Sequence, residues 1–139
     1  MLSSVRVAQR GMVAVPPITV LVADDEPMVR EALTDLLNDH PRIDVVAVAG
    51  DVAEAVRLAA ELRPDVAILD VRMPGGGGAV AARGIRRQSP GTRILAYSAF
   101  DDAVAANEML AAGAEAYIVK GAGARRILAC VLREDGNVA

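Results

Sequence analysis

The chain has no tryptophan, and its only aromatic residues are Tyr97, Phe100 and Tyr117. With 53% of its 139 residues apolar, a core must come from valine, leucine, isoleucine and alanine, and the length suits one domain. A single cysteine, Cys130, excludes an intramolecular disulfide and fits a reducing compartment. No apolar run reaches the ~18 residues of a membrane span. A net charge of −3 with no long basic run argues against a nucleic-acid surface. The expected location is cytoplasmic.

One competing pattern lies at the start. Arg6 and Arg10 precede an apolar stretch, 11–23, as in a short signal peptide. Pro16 and Pro17 interrupt it, and cleavage after Ala23 would delete a strand. The expected organisation is a flexible tail over 1–16, one domain over 17–134 and a short tail over 135–139, with no output domain.

Apolar runs of strand length recur at 18–23, 43–48, 66–69, 93–97 and 116–119. All but the last are rich in β-branched or leucine residues with little alternation, as strands covered on both faces are. Helical patterns separate them. Pro27 fits a first helical position before Val29, Leu33, Leu36 and Leu37. Asp51 can cap a second helix that stops before Pro64. A third runs over about 79–88, a fourth from Asp101 and Asp102 to Gly113, and a fifth pairs Ile127 with Val131. Five β-α units imply a parallel sheet with helices on both faces. Ligands of such sheets bind beyond the carboxyl ends of the strands, where Asp24, Asp25, Asp70, Ser98 and Lys120 fall.

Three carboxylates in one crevice repel unless a cation joins them. A hard divalent ion with oxygen ligands answers this, and Mg2+ suits a site with few protein ligands. With the Lys120 ammonium it would neutralise an incoming phosphoryl group and orient Asp70 for in-line attack. Ser98 offers a hydroxyl to a phosphoryl oxygen. Such a set suits formation of an acyl phosphate.

The acid pair Asp24 and Asp25, Asp70 followed by Met73, Pro74 and Gly78, the Ser98-Ala99 pair, and Tyr117 three residues before Lys120 resemble the receiver domain of bacterial two-component response regulators, from about Ile18 to Leu132. The resemblance implies a flavodoxin-like, doubly wound five-stranded parallel sheet of order 2-1-3-4-5. It implies that Asp70 accepts phosphate, that Asp25 binds Mg2+ directly and Asp24 largely through water, and that the Arg72 backbone carbonyl is a further ligand. Ser98 would bond the phosphoryl group, Lys120 would pair with it, and Tyr117 would turn with Ser98 as a switch. The partner would be a histidine kinase or phosphotransfer protein. Output would be a protein contact through about 103–132, with no direct DNA binding and no membrane, and a homodimer through the fourth helix is an analogy.

Three departures stand out. Gly121 follows Lys120 where many relatives have proline, so no cis bond is expected there. Gly75, Gly76, Gly77 and Gly78 form an unusually flexible run, without a phosphate-loop pattern. The residues around Ser98 and Lys120 look like the subfamily that usually carries a helix-turn-helix output domain, whereas the sequence ends at Ala139, so a stand-alone receiver and a fragment of a longer regulator are both open. Arg72 and Phe100, each two residues beyond Asp70 and Ser98, would shield the phosphoryl group and slow its loss.

Taken singly, Asp24 to Glu26 read as a helix cap, Asp70 as a turn residue, Lys120 as a solvated strand end, Ser98 as a core hydroxyl and Tyr117 as a packed tyrosine. Two other functions compete with the switch. An aspartate-nucleophile phosphatase reads Asp-x-Asp, but position 72 is arginine. A degenerate receiver that only binds a partner usually lacks an acid, the hydroxyl or the lysine, and all are present here.

Overall fold

A computed structural model describes residues 15–133. The tails expected over 1–16 and 135–139 fall almost wholly outside the described residues, as do Arg6, Arg10 and the first four residues of the apolar stretch 11–23; the rest of that stretch includes β1.

Among the described residues, five strands and five helices alternate. The strands are β1 (Ile18–Ala23), β2 (Ile43–Ala49), β3 (Val66–Asp70), β4 (Arg93–Ser98) and β5 (Ala116–Val119). The helices are α1 (Pro27–Asn38), α2 (Val52–Leu62), α3 (Gly78–Gln88), α4 (Ala103–Ala111) and α5 (Ala124–Leu132), with one 3-10 turn at Lys120–Ala122. All pairings are parallel, and the order is β2-β1-β3-β4-β5. This is the doubly wound order that the resemblance implied.

Side chains alternate between two cores, one on each face of the sheet. Leu21, Leu69, Ile94 and Ala96 turn toward α2, α3 and α4, where Ala55, Ile85 and Met109 meet them. Val20, Val22, Ile68 and Leu95 turn the other way, toward Leu33 and Leu37 of α1 and Ile127 and Val131 of α5. Both sets are apolar, so the central strands read as unbroken apolar runs. The edge strands depart from that pattern. In β2, Val46 and Val48 are exposed, because only its inner side is covered by a neighbouring strand.

Local chemistry sets the helix ends. The Asp51 carboxylate accepts the Glu54 amide at 2.8 Å, and the Glu54 side chain returns to the Gly50 amide at 3.0 Å. This close variant of a capping box satisfies two free donors at the start of α2. Asp102 caps α4 through the Val104 amide at 2.9 Å. At the base of the sheet, Arg93 donates to the carbonyls of Cys130 and Val131 at 2.6 and 3.1 Å and pairs with Glu115 at 2.7 Å. Its guanidinium satisfies carbonyls at the end of α5. A cavity of about 350 Å3 opens beside it, lined by Ile18, Asp65, Val131 and Leu132 among others.

β3 and β4 each run one residue longer than the apolar pattern predicts. They end on Asp70 and Ser98 themselves. Both side chains are therefore aimed by sheet geometry rather than by loop geometry.

Candidate functional site

β1 lies beside β3 with Ala23 opposite Leu69, so the residues that follow meet across one crevice. Carboxylate oxygens of Asp24, Asp25 and Asp70 lie within 4.8 Å of one another. Their surroundings differ. Asp24 is buried and each of its polar groups has a partner in the protein. Its amide donates to the Ala49 carbonyl at 3.0 Å, and its carbonyl accepts Arg30 Nη1 at 2.9 Å. Its Oδ1 accepts the Glu26 amide at 2.9 Å, and its Oδ2 accepts Lys120 Nζ at 2.8 Å. Asp25 is exposed and has no hydrogen bond among the described residues.

Asp70 is 6% exposed. Burial, reinforced by the Asp24 carboxylate, raises its pKa to about 6, against the pull of Lys120 at 3.6 Å and of the Arg72 amide at 3.5 Å. An anion here is short of compensation. All three groups are oxygen donors with one open side, which fits a hard divalent cation such as Mg2+. Burial works to lower the pKa of Lys120, but its hydrogen bond to Asp24 and the nearby Asp70 raise it instead. It is a fixed cation.

Ser98 is buried, and its Oγ accepts the Phe100 amide at 3.1 Å. That leaves its own hydrogen available to a second acceptor. The Tyr117 hydroxyl donates to the Phe100 carbonyl at 2.8 Å. Ser98 and Tyr117 therefore hold the two sides of one residue.

The profile of the response regulator receiver domain family matches residues 20–132. The chain belongs to this family. The DNA-binding transcriptional activator DevR/DosR of Mycobacterium tuberculosis is 41% identical over 103 residues, covering 74% of this chain and 48% of that protein. The protein-glutamate methylesterase/protein-glutamine glutaminase 3 of Myxococcus xanthus is 54% identical over 85 residues, covering 60% of this chain and 23% of that protein. The crystal structure of the response regulator domain of Thermotoga maritima CheB superposes with a TM-score of 0.78 at 32% identity, covering 85% of this chain and 96% of that one. This receiver domain spans about half the length, or less, of the curated relatives it matches.

Among the described residues of the receiver domain, no helix is long and apolar enough to cross a membrane. The sequence places Lys120 against the phosphoryl group, whereas here its shorter contact is with Asp24. Arg72 and Phe100 meet each other, with the guanidinium carbon 4.2 Å from the ring centre. Two residues escape sequence reasoning. Tyr97 lies opposite Asp70 in the β3–β4 register and places its ring 5.4 Å from Lys120 Nζ. Arg30 reaches from α1 to the backbone of Asp24. Tyr97 sits in an apolar strand and Arg30 in an amphipathic helix, so neither stands out by pattern.

The glycine run is more defined than its composition implies. Gly75, Gly76 and Gly77 have φ of 102°, 119° and 89°, a region that side chains oppose. At Gly78 a Cβ would lie 2.6 Å from the Asp70 carbonyl oxygen. The Val52 amide donates to the Pro74 carbonyl at 3.0 Å, and the Gly78 amide to the Val71 carbonyl at 2.8 Å. The glycines allow the loop to fold closely around the acceptor.

Proposed function

We propose that Asp70 accepts a phosphoryl group from a histidine kinase or phosphotransfer protein, and that the modified chain signals through a protein contact. The observation that carries this is the convergence of Asp24, Asp25 and Asp70 with Lys120 pairing to Asp24 and Asp70 from β5's end. In the transfer, an Asp70 oxygen forms a bond to phosphorus as the phosphorus–nitrogen bond of a phosphohistidine breaks. The imidazole nitrogen leaves with the electron pair and takes up a proton.

Asp25 and Asp70 would hold Mg2+ with the Arg72 carbonyl, and Asp24 would act largely through water because its oxygens are already engaged. Bound there, Mg2+ would supply positive charge to the transferring oxygens. The new phosphoryl charge would draw Lys120 from Asp24 toward Asp70 and offer Ser98 Oγ an acceptor. Rotation of Ser98 Oγ to reach that acceptor would break its bond from the Phe100 amide and free the loop that Tyr117 also holds, which makes Ser98 and Tyr117 the switch pair. Moving such an equilibrium from mostly off to mostly on takes about 5.5 kcal/mol of differential stabilisation. A charge-assisted hydrogen bond and an ion pair are of a size to supply much of it. The reaction belongs in the cytoplasm.

The test is incubation with an acyl phosphate and Mg2+, read by intact mass, on the wild type and Asp70→Asn. A single phosphoryl adduct on the wild type alone, lost with excess chelator, is expected. Equal labelling of both proteins would defeat the proposal, and no labelling of either would favour a receiver that works only by binding.

A further inference from the structure

Asp25 is the exposed member of the carboxylate cluster, and no hydrogen bond fixes its side chain among the described residues. Its position therefore derives from the backbone. The peptide that leads into Asp25 is planar, and its oxygen is the Asp24 carbonyl that accepts Arg30 Nη1 at 2.9 Å. The amide on the other side of Asp24 is held by Ala49 at 3.0 Å. One peptide is anchored by the sheet, and the next by a side chain returning from α1.

Arg30 has few other commitments. It is half-buried and makes no ion pair among the described residues. Its own amide closes the first turn of α1 on the Glu26 carbonyl at 3.0 Å, so the residue spans the loop it braces. The guanidinium lies over Gly50, where an added Cβ would come to 3.1 Å from Nη1. A side chain at 50 would press on the guanidinium, and glycine leaves it room. Gly50 has no positive φ, so its lack of a side chain answers to space rather than to backbone conformation.

We propose that Arg30 is a positioning residue for the cation site: by holding the Asp24 carbonyl over Gly50 it aims Asp25 and sets the affinity for Mg2+. The proposal rests on the reading of the site given above. Groups that orient a metal ligand without touching the metal typically change affinity 10- to 100-fold when removed. A hydrogen bond from a guanidinium is also stronger than one between neutral groups.

Calorimetric titration of the full chain with MgCl2 tests this without reference to activity. Arg30→Met should weaken binding about 10-fold or more, and Arg30→Lys should lose less. Gly50→Ala keeps Arg30 chemically intact and displaces its guanidinium, so it should weaken binding in the same direction by a smaller factor. The double variant Arg30→Met with Gly50→Ala should bind no more weakly than Arg30→Met alone, since both remove one contact. In acyl-phosphate labelling, Arg30→Met should need more Mg2+ for half the maximal rate and reach the wild-type plateau.

An unchanged Mg2+ affinity in Arg30→Met would overturn the proposal. So would a lowered plateau at unchanged half-saturation. If Arg30→Met does not fold, unchanged binding by Gly50→Ala overturns it instead. Wild-type protein that binds no Mg2+ would overturn the reading of the whole site and this inference with it. Normal wild-type binding with unaltered variants would overturn this inference alone.

Discussion

Asp70 is a carboxylate whose surroundings favour its protonated form more than water does. Its pKa of about 6 in the folded chain, against an ordinary 3.8, means that without metal the native state keeps a proton between these values that the unfolded chain has released. Stability therefore falls as pH rises through that window, by up to about 3 kcal/mol, and the cost is absent below pH ~4. In chelator, Asp70→Asn should melt above the wild type at pH 8, and the gap should close toward pH 4. Coincident melting curves at pH 8 would mean that the carboxylate carries no burial cost. Arg72 and Phe100 make a second claim at this scale. Their stack places a cation and a ring at the rim of the crevice, in an arrangement worth about 0.5–1 kcal/mol at exposed sites. Replacing both by serine should shorten the phosphoryl lifetime of Asp70 several-fold, followed by intact mass after removal of the donor. An unaltered decay would end the shielding idea.

Between elements, α3 comes close to α2 because Gly84 has no side chain. A Cβ there would lie 2.7 Å from Cγ2 of Val56. Alanine favours a helix over glycine by about 1 kcal/mol, while overpacking a filled core costs about 1–3 kcal/mol. Val56 is β-branched and stiff at χ1, so packing should win. Gly84→Ala should lose up to about 2 kcal/mol in a urea melt. Gly91, with nothing within 4 Å of an added Cβ, provides the control, since alanine there should be neutral or slightly stabilising. Elements of this kind were largely legible in the sequence. Asp51, Pro27 and Gly113 mark helix ends through local chemistry, and the unbroken apolar runs mark strands covered on both faces. The two-sided reading failed at β2, because an edge is a property of sheet order and not of the strand's residues. Asp70, Asp24, Asp25 and Lys120 were legible as a group because each stands at the carboxyl end of a strand or just beyond it. Arg30 and Tyr97 were not, since their contacts depend on side-chain direction across elements far apart in the chain. The glycines at 75–78 were visible, but their positive φ values belong to the folded loop.

At the scale of the molecule, the sheet separates two apolar cores and keeps the Asp24, Asp25 and Asp70 cluster at one rim. The opposite rim is occupied by Arg93, which joins β4 to the end of α5. Ile18, where the first strand enters, and Leu132, where the last helix finishes, line the same cavity on that rim. The fold is thus entered and left through adjoining doors on the floor of the sheet, while Asp70 faces the ceiling. A polypeptide spliced onto either door would begin at the rim away from Asp70, so neither junction would meet the carboxylate cluster. The unit has the geometry of a cartridge: its points of attachment and its reactive face lie at opposite ends of the sheet.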